Sequence, residues 1–288
     1  MTEATLLALG SAVLHAAWNL MIKTSNERFL AAWGQFLVGG LLFVPVLLVI
    51  GPPGTVVLPF LVVSSCVHVI YVAALVRAYH HGDFSFAYPI ARGGGALLAA
   101  IGGVLFLSDT LSGGEWLAIL IVVVGLVSLV RPGVSAIALG WAALTALTIG
   151  TYTTIDIEGA RKSAGFSYGI SLMLGAGIAL TIAGVLVGRG PAFVRSFTGA
   201  WRRYVLGGVL STVAYSMVLA AGRLAPAGYV AALREFSVVL GALGGWLLLH
   251  ERMDGSSPAA RPPIPRCSSV RARPTRSGSS WPSTEPSA

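Results

Sequence analysis

Apolar segments long enough to cross a bilayer recur along almost the whole chain. A transmembrane helix needs about 20 predominantly apolar residues. Only 10% of the 288 residues are charged, whereas soluble domains carry about 25%. We therefore predict an all-α membrane protein with nine helices, and a loop with four arginines at 188–203. The predicted helices span about residues 4–22, 30–50, 58–79, 84–107, 115–130, 135–155, 166–187, 204–222 and 228–249.

The fourth predicted helix carries an arginine inside its apolar run. Arg92 follows a break predicted at Tyr88–Pro89 and precedes glycines 93–95. An arginine at membrane depth costs roughly 2.5–3.5 kcal/mol or more, so it normally faces protein or a water-filled cavity. The glycines allow another helix or a ligand to approach the backbone closely. The alternative is that Arg92 extends along the helix to the nearer membrane interface.

The second half of the chain repeats the plan of the first. Moving the fourth helix by 142 positions brings Arg92 onto Arg234 and the turn at 108–113 onto the turn at 250–255. Paired glycines and one acidic turn residue coincide in the same register. We therefore predict two repeats of about five helices, at 4–131 and 135–255. An odd number of helices gives the repeats opposite orientations, which is the inverted-repeat plan of secondary transporters.

Residues 256–288 differ from the rest of the chain. They hold seven of the fifteen prolines and five arginines against one acidic residue, with no apolar run able to span a bilayer. The repeat predicts a helix here, equivalent to the fifth. We expect that this Arg/Pro/Ser-rich segment results from a shifted reading frame; a native disordered tail is the alternative. Since the segment supplies half of the net charge of +8, that charge does not indicate nucleic acid as a partner.

Four short motifs resemble a known family. They are HAAWNLMIK (15–23), YPIARGG (88–94), YTTIDIEGAR (152–161) and AALREFS (231–237). Together with the helix number and the two repeats over 4–255, they resemble the ten-helix EamA branch of the drug/metabolite transporter superfamily, here with the tenth helix missing. The resemblance implies a multi-pass protein of the cell inner membrane with a central cavity lined by both repeats.

Two arginines at equivalent positions of inverted repeats would meet in one cavity and repel each other unless an anion lay between them. Glu235, Asp156, or a carboxylate, phosphate or phosphonate of a substrate could supply that anion, and such groups suit the guanidinium fork. His15 and Glu235 are candidate proton carriers. Structural ion pairs and ordinary packing are the alternatives. The candidate substrate-binding residues are Arg92, Arg234, Glu235, His15, Trp18, Asn19, Tyr88 and Tyr152.

These features predict a secondary transporter that moves a small anionic or zwitterionic metabolite by alternating access. No Walker motif, nucleophile elbow or metal-ligand spacing supports an enzyme, a cofactor or a metal site. The alternatives are an exporter of lipophilic cations, a flippase for lipid-linked sugars and a truncated membrane protein that transports nothing. The predicted partners are a small-molecule substrate, the lipid bilayer and coupled protons, without nucleic acid, for a monomer or homodimer.

Two arguments about orientation disagree. With the N-terminus outside, cytoplasmic loops collect nine Lys and Arg residues up to Arg252 and outside loops collect three. The positive-inside rule favours that orientation, whereas the family resemblance implies a cytoplasmic N-terminus. We favour the charge count.

Overall fold

The structure, a computed structural model, describes residues 1–23, 25, 27–81, 84–128 and 135–240. The side chains of residues 20, 22, 23, 84–89, 126 and 127 are outside this description. So are the last part of the ninth predicted helix (241–249), the predicted turn at 250–255 and the tail at 256–288. The predictions made for those segments therefore concern residues outside the described ones.

The described residues are helical throughout, joined by short connections and without any strand. A broken helix, α2 and α3, corresponds to the second predicted segment, and Pro45 stands in the first turn of α3, where it breaks no hydrogen bond of that helix. The helices are α1 (Thr2–Lys23), α2 (Arg28–Leu42), α3 (Val44–Ile50), α4 (Leu58–His81), α5 (Phe84–Phe106), α6 (Gly113–Ser128), α7 (Ala136–Arg161), α8 (Gly165–Leu186), α9 (Gly190–Leu224) and α10 (Ala227–Arg234).

Several of these helices suit a membrane by length and composition. Four are long and apolar enough to cross one, and α2 with α3, bent by 42°, can form a fifth span. Apolar side chains cover the outside: Leu48, Val49 and Leu186 are each more than three-quarters exposed. Polar and charged side chains lie inside instead, as the sections below describe. An apolar exterior around a polar interior is expected for a protein surrounded by lipid, so the fold is that of an α-helical membrane protein.

Three predicted boundaries are wrong. The basic segment at 188–203 is not a loop, because α9 is a continuous helix of 35 residues. Arginine and alanine are good helix formers, and Pro191 stands in the first turn, where it breaks no hydrogen bond. α7 continues to Arg161, so Asp156 lies inside a helix rather than at its end. α5 passes through Tyr88–Pro89 without a break, since one proline removes only one backbone hydrogen bond.

Glycines set the closest helix crossings. A Cβ on Gly39 of α2 would lie 2.8 Å from a carbonyl oxygen of α9, so no side chain fits there. A Cβ on Gly95 of α5 would lie 2.5 Å from Ile149 of α7. The prediction that glycines 93–95 allow close approach of a helix is therefore confirmed at Gly95. In the resulting bundle α7 packs along α4 and α5, α1 packs along α9 and α10, and α5 meets α10.

Candidate functional site

Arg92 and Glu235 form an ion pair where α5 meets the end of α10. The Arg92 Nε donates to Glu235 Oε2 at 3.1 Å, and an Arg92 terminal nitrogen lies 2.7 Å from Oε1. Both residues are 6% exposed. Two parallel contacts between a guanidinium and a carboxylate give the strongest form of such a pair. Arg92 therefore faces protein rather than the membrane interface.

The sequence named Glu235 as one anion that could lie between the two arginines; it pairs with Arg92 and not with its neighbour Arg234. Consecutive residues of a helix point about 100° apart and do not face each other. Glu235 instead turns to Arg92 across the bundle, as described above. The nearest carboxylate in the sequence therefore does not pair with Arg234.

Arg234, at the end of α10, is buried, and among the described residues no carboxylate oxygen lies within 4.0 Å of it. One terminal nitrogen donates to His15 Nδ1 at 3.3 Å. Its guanidinium carbon lies 5.4 Å from the ring centroid of Tyr215. Its buried Nε has no hydrogen-bond partner in the described part of the chain. Among the described residues, the groups that hold Arg234 are therefore neutral.

His15, Trp18 and Asn19 stand three and four positions apart in α1 and therefore share one face of it, but each has different neighbours. His15 contacts Arg234, and the Trp18 ring meets the His15 ring edge-on with centroids 4.6 Å apart. The amide nitrogen of Asn19 is buried and has no hydrogen-bond partner among the described residues. Trp18 also lines a larger cavity described below. Trp18 and His15 thus form a chain of contacts between that cavity and Arg234.

Tyr152 belongs to an aromatic cluster beside the arginines. Its ring lies 4.2 Å from that of His68 and 5.5 Å from that of Tyr71, both on α4. Tyr215 completes the cluster, with its centroid 6.3 Å from that of His68. Tyr152 does not touch either arginine directly. The side chain of Tyr88 lies outside the described residues, so its predicted role stays a prediction.

Asp156 was one predicted counter-ion for the arginines, and the structure does not pair it with either. It is fully buried in α7. The Tyr168 hydroxyl donates to one carboxylate oxygen at 3.1 Å, and the Tyr215 hydroxyl donates to the other. Sequence reasoning did not single out Tyr168 or Tyr215. The sequence feature that could have indicated a polar cluster in the interior is the polar face of α4, on which Ser64 and His68 are buried.

Two cavities lie near these residues. The first holds only about 10 Å³ and is lined by Arg92, Thr153, Arg234 and Glu235 together with apolar residues. It is about the size that one water molecule requires. The second holds about 370 Å³ between the end of α1, the start of α2 and the first half of α9. Its lining includes Trp18 and Gln35.

A further polar cluster closes the opposite end of the bundle, where α5, α7 and α9 end and α10 begins. Arg161 lies 2.7 Å from Asp109 Oδ1 and donates to the carbonyl oxygens of Gly222, Leu107 and Ala225. The other Asp109 oxygen accepts from a backbone N–H of α10 at 2.7 Å. Asp109 follows the end of α5, where a polar residue would ordinarily be solvated, but its side chain is only 7% exposed.

A scan against protein-family models finds no matching family, and a search of curated proteins finds no match. Among the described residues no group of three or more His, Cys, Asp or Glu side chains is placed to hold a metal ion. The fold and the site together define an α-helical membrane protein whose interior holds two arginines, and among the described residues only Arg92 is paired with a carboxylate.

Proposed function

We propose that this chain is a secondary transporter, of the EamA type that its motifs suggest, for a small anionic or zwitterionic metabolite. The observation that carries the proposal is the buried guanidinium of Arg234, held by a histidine and an aromatic ring without a carboxylate within 4.0 Å among the described residues. A buried cation without a counter-ion is costly. A substrate carboxylate, phosphate or phosphonate would offset that cost when it binds.

The charges around the small cavity favour an anion over a cation. Arg92 and Glu235 neutralise each other at 2.7 Å, which leaves the charge of Arg234 in excess. A lipophilic cation would be repelled by that charge and would find the one carboxylate in contact already occupied. This argues against the alternative of a cation exporter.

The helix packing supports two related halves. In the proposed repeats, α1 corresponds to α7, α4 to α9 and α5 to α10. α1 packs along α9 and α10, and α7 packs along α4 and α5. Exchanging the two halves converts the first set of contacts into the second. Such exchanged packing is expected if the repeats are related by a pseudo-two-fold axis in the membrane plane.

Access to the arginines differs between the two ends of α9. The Arg161–Asp109 cluster ties helix ends together at one end, and the cavity of about 370 Å³ lies near the other. Between them, the space of about 10 Å³ at the arginines is too small for any metabolite. Substrate therefore enters only when helices separate around the site, which is the behaviour that alternating access requires.

The proposal is tested by exchange measurements on the full 288-residue chain in liposomes. The probes are labelled phosphate, methylphosphonate, L-glutamate and L-alanine, each exchanged against the same unlabelled compound. We expect exchange of at least one probe. Replacing Arg234 with Gln should raise the KM for that probe at least about tenfold, since hydrogen bonds to charged groups contribute roughly 1.5–3 kcal/mol.

Arg223→Gln is the matched control, because it removes the same charge from an exposed position near the end of α9. It should leave the KM within about twofold, since surface charges contribute little. Equal KM values for Arg234→Gln and the wild type would make Arg234 a structural residue. Exchange of none of the four probes by monodisperse protein would count against transport and favour the truncated, non-transporting alternative.

A further inference from the structure

Asp156 is buried in the middle of the bundle without a cation. It is 0% exposed, and among the described residues no Lys, Arg or His nitrogen lies within 4.0 Å of its oxygens. Its two oxygens accept hydrogen bonds from Tyr168 and Tyr215. Buried carboxylates are normally paired with cations or exchange their charge for a proton. Asp156 has only neutral hydroxyl partners, so its environment suits a group that gains and loses a proton.

Tyr215 connects this carboxylate to the proposed anion site. Its hydroxyl donates to Asp156 Oδ2, and its ring centroid lies 5.4 Å from the guanidinium carbon of Arg234. The positive charge of Arg234 favours the ionised form of a nearby carboxylate. An anion bound to Arg234 would cancel that charge and so favour proton uptake at Asp156. Anion binding and proton binding would then strengthen each other.

Two other titratable groups near Arg234, Glu235 and His15, are less suited than Asp156 to carry the proton. Glu235 is less suited to carry the proton, because Arg92 contacts both of its oxygens. His15 accepts a hydrogen bond from Arg234, so its protonation would place a second cation against the first. The titratable side chains that surround Asp156 from the packed helices are His68 and Tyr71 on α4, Arg92 on α5, Tyr152 on α7 itself, Tyr168 on α8, Tyr215 on α9 and Arg234 on α10.

We propose that Asp156 is the proton-binding residue of the transport cycle and that Tyr215 links its protonation to anion binding at Arg234. The inference rests on the proposed transport function. With an anion on Arg234, the Asp156 carboxylate takes a proton from water on the open side and becomes a carboxyl group. Release of the anion on the other side restores the charge of Arg234, and the carboxyl group returns its proton to water there. One anion and one proton cross together.

The first test needs no substrate. Infrared spectra of the purified full chain, recorded from mildly alkaline to acidic pH, should show a protonated carboxyl band that disappears in Asp156→Asn. Arg234→Gln imitates neutralisation by an anion, and we expect it to raise the proton affinity of Asp156 about tenfold, equivalent to one pH unit. Arg223→Gln, which removes an exposed charge, should leave the band unchanged.

If Asp156→Asn does not fold, the band can be assigned with isotope-labelled aspartate and by its displacement in Tyr168→Phe, which removes one hydrogen bond to the carboxylate. Tyr215→Phe should keep a titrating band but reduce its response to Arg234→Gln. An Asp156 that keeps one protonation state over the whole pH range, or that ignores Arg234, overturns the proposal.

The second test measures coupling in liposomes with the probe that exchanges best. A gradient of about one pH unit supplies about 1.4 kcal/mol per proton, so one coupled proton gives about tenfold accumulation. Asp156→Asn should lose the accumulation that the gradient drives, whereas the exposed-site control Arg223→Gln should keep it. If no probe is exchanged but Asp156 titrates as expected, the transport function fails and the proton site stands. Unchanged gradient-driven accumulation in Asp156→Asn overturns the proton site alone.

Discussion

The Arg92–Glu235 pair allows a quantitative prediction of stability. Two contacts of 2.7 and 3.1 Å join side chains that are only 7% and 6% exposed. Replacing Arg92 with Gln leaves the Glu235 carboxylate buried and unpaired, and removing one partner of a buried pair costs about 3–5 kcal/mol. At about 2–4 °C per kcal/mol, the expected decrease in unfolding temperature is about 10 °C. Thermal unfolding of the detergent-solubilised protein, followed by circular dichroism, measures it.

The double variant Arg92→Gln/Glu235→Gln gives the decisive comparison. Replacing both partners removes the unpaired charge, so the double variant should unfold at a higher temperature than either single variant. The exposed Glu158–Lys162 pair on α7, at 3.0 Å, is the control. Its Lys162→Gln variant should lose no more than about 0.5 kcal/mol. Single variants within about 1 kcal/mol of the wild type, or a double variant less stable than both, would refute the reasoning.

Two further predictions concern the ends and the crossings of the helices. Arg161→Gln removes the contacts to Asp109 and to three backbone carbonyls. We therefore expect the free energy of unfolding, measured by thermal unfolding, to fall by about 2–3 kcal/mol, whereas Lys162→Gln should hardly change it. Gly39→Ala would place a Cβ 2.8 Å from a backbone oxygen of α9 and should lower the free energy of unfolding by about 1–3 kcal/mol. Gly140→Ala, on an open face of α7, should instead raise it by about 0.5–1 kcal/mol; equal effects of the two glycine replacements would contradict the packing argument.

Apolar length predicted the helices well but not all of their ends. The first eight predicted segments each correspond to a helix or a broken helix in the described part of the chain, because a bilayer fixes the length of an apolar span. The ninth begins as α10, and its last part, 241–249, lies outside the described residues. Charge is a weaker indicator of where a helix stops. The four arginines at 188–203 suggested a loop, yet they continue α9. A helix can extend beyond the bilayer, and sequence hydropathy does not report on that extension.

The sequence identified the charged members of the site but not their partners. Arg92, Arg234 and His15 were recognised because polar groups inside apolar helices are costly. Glu235 was named as one anion that could lie between the two arginines, but the sequence could not assign it to Arg92, which lies 143 positions away across the bundle. Arg161 was missed for a related reason. It stands at a helix end, where a basic residue is expected on electrostatic grounds alone, and only the fold brings it to Asp109.

The asymmetry between the two arginines can be traced to a single position. In the proposed repeat register, Arg92 and Arg234 are equivalent, and the position equivalent to Glu235 in the first repeat is Gly93. Among the described residues, Glu235 is the one carboxylate in contact with these arginines, and packing across the bundle gives it to Arg92. An acidic residue at position 93 would allow the second arginine to be neutralised in the same way. With glycine at that position, the described residues offer Arg234 no carboxylate, and under the proposed function a substrate anion would balance its charge.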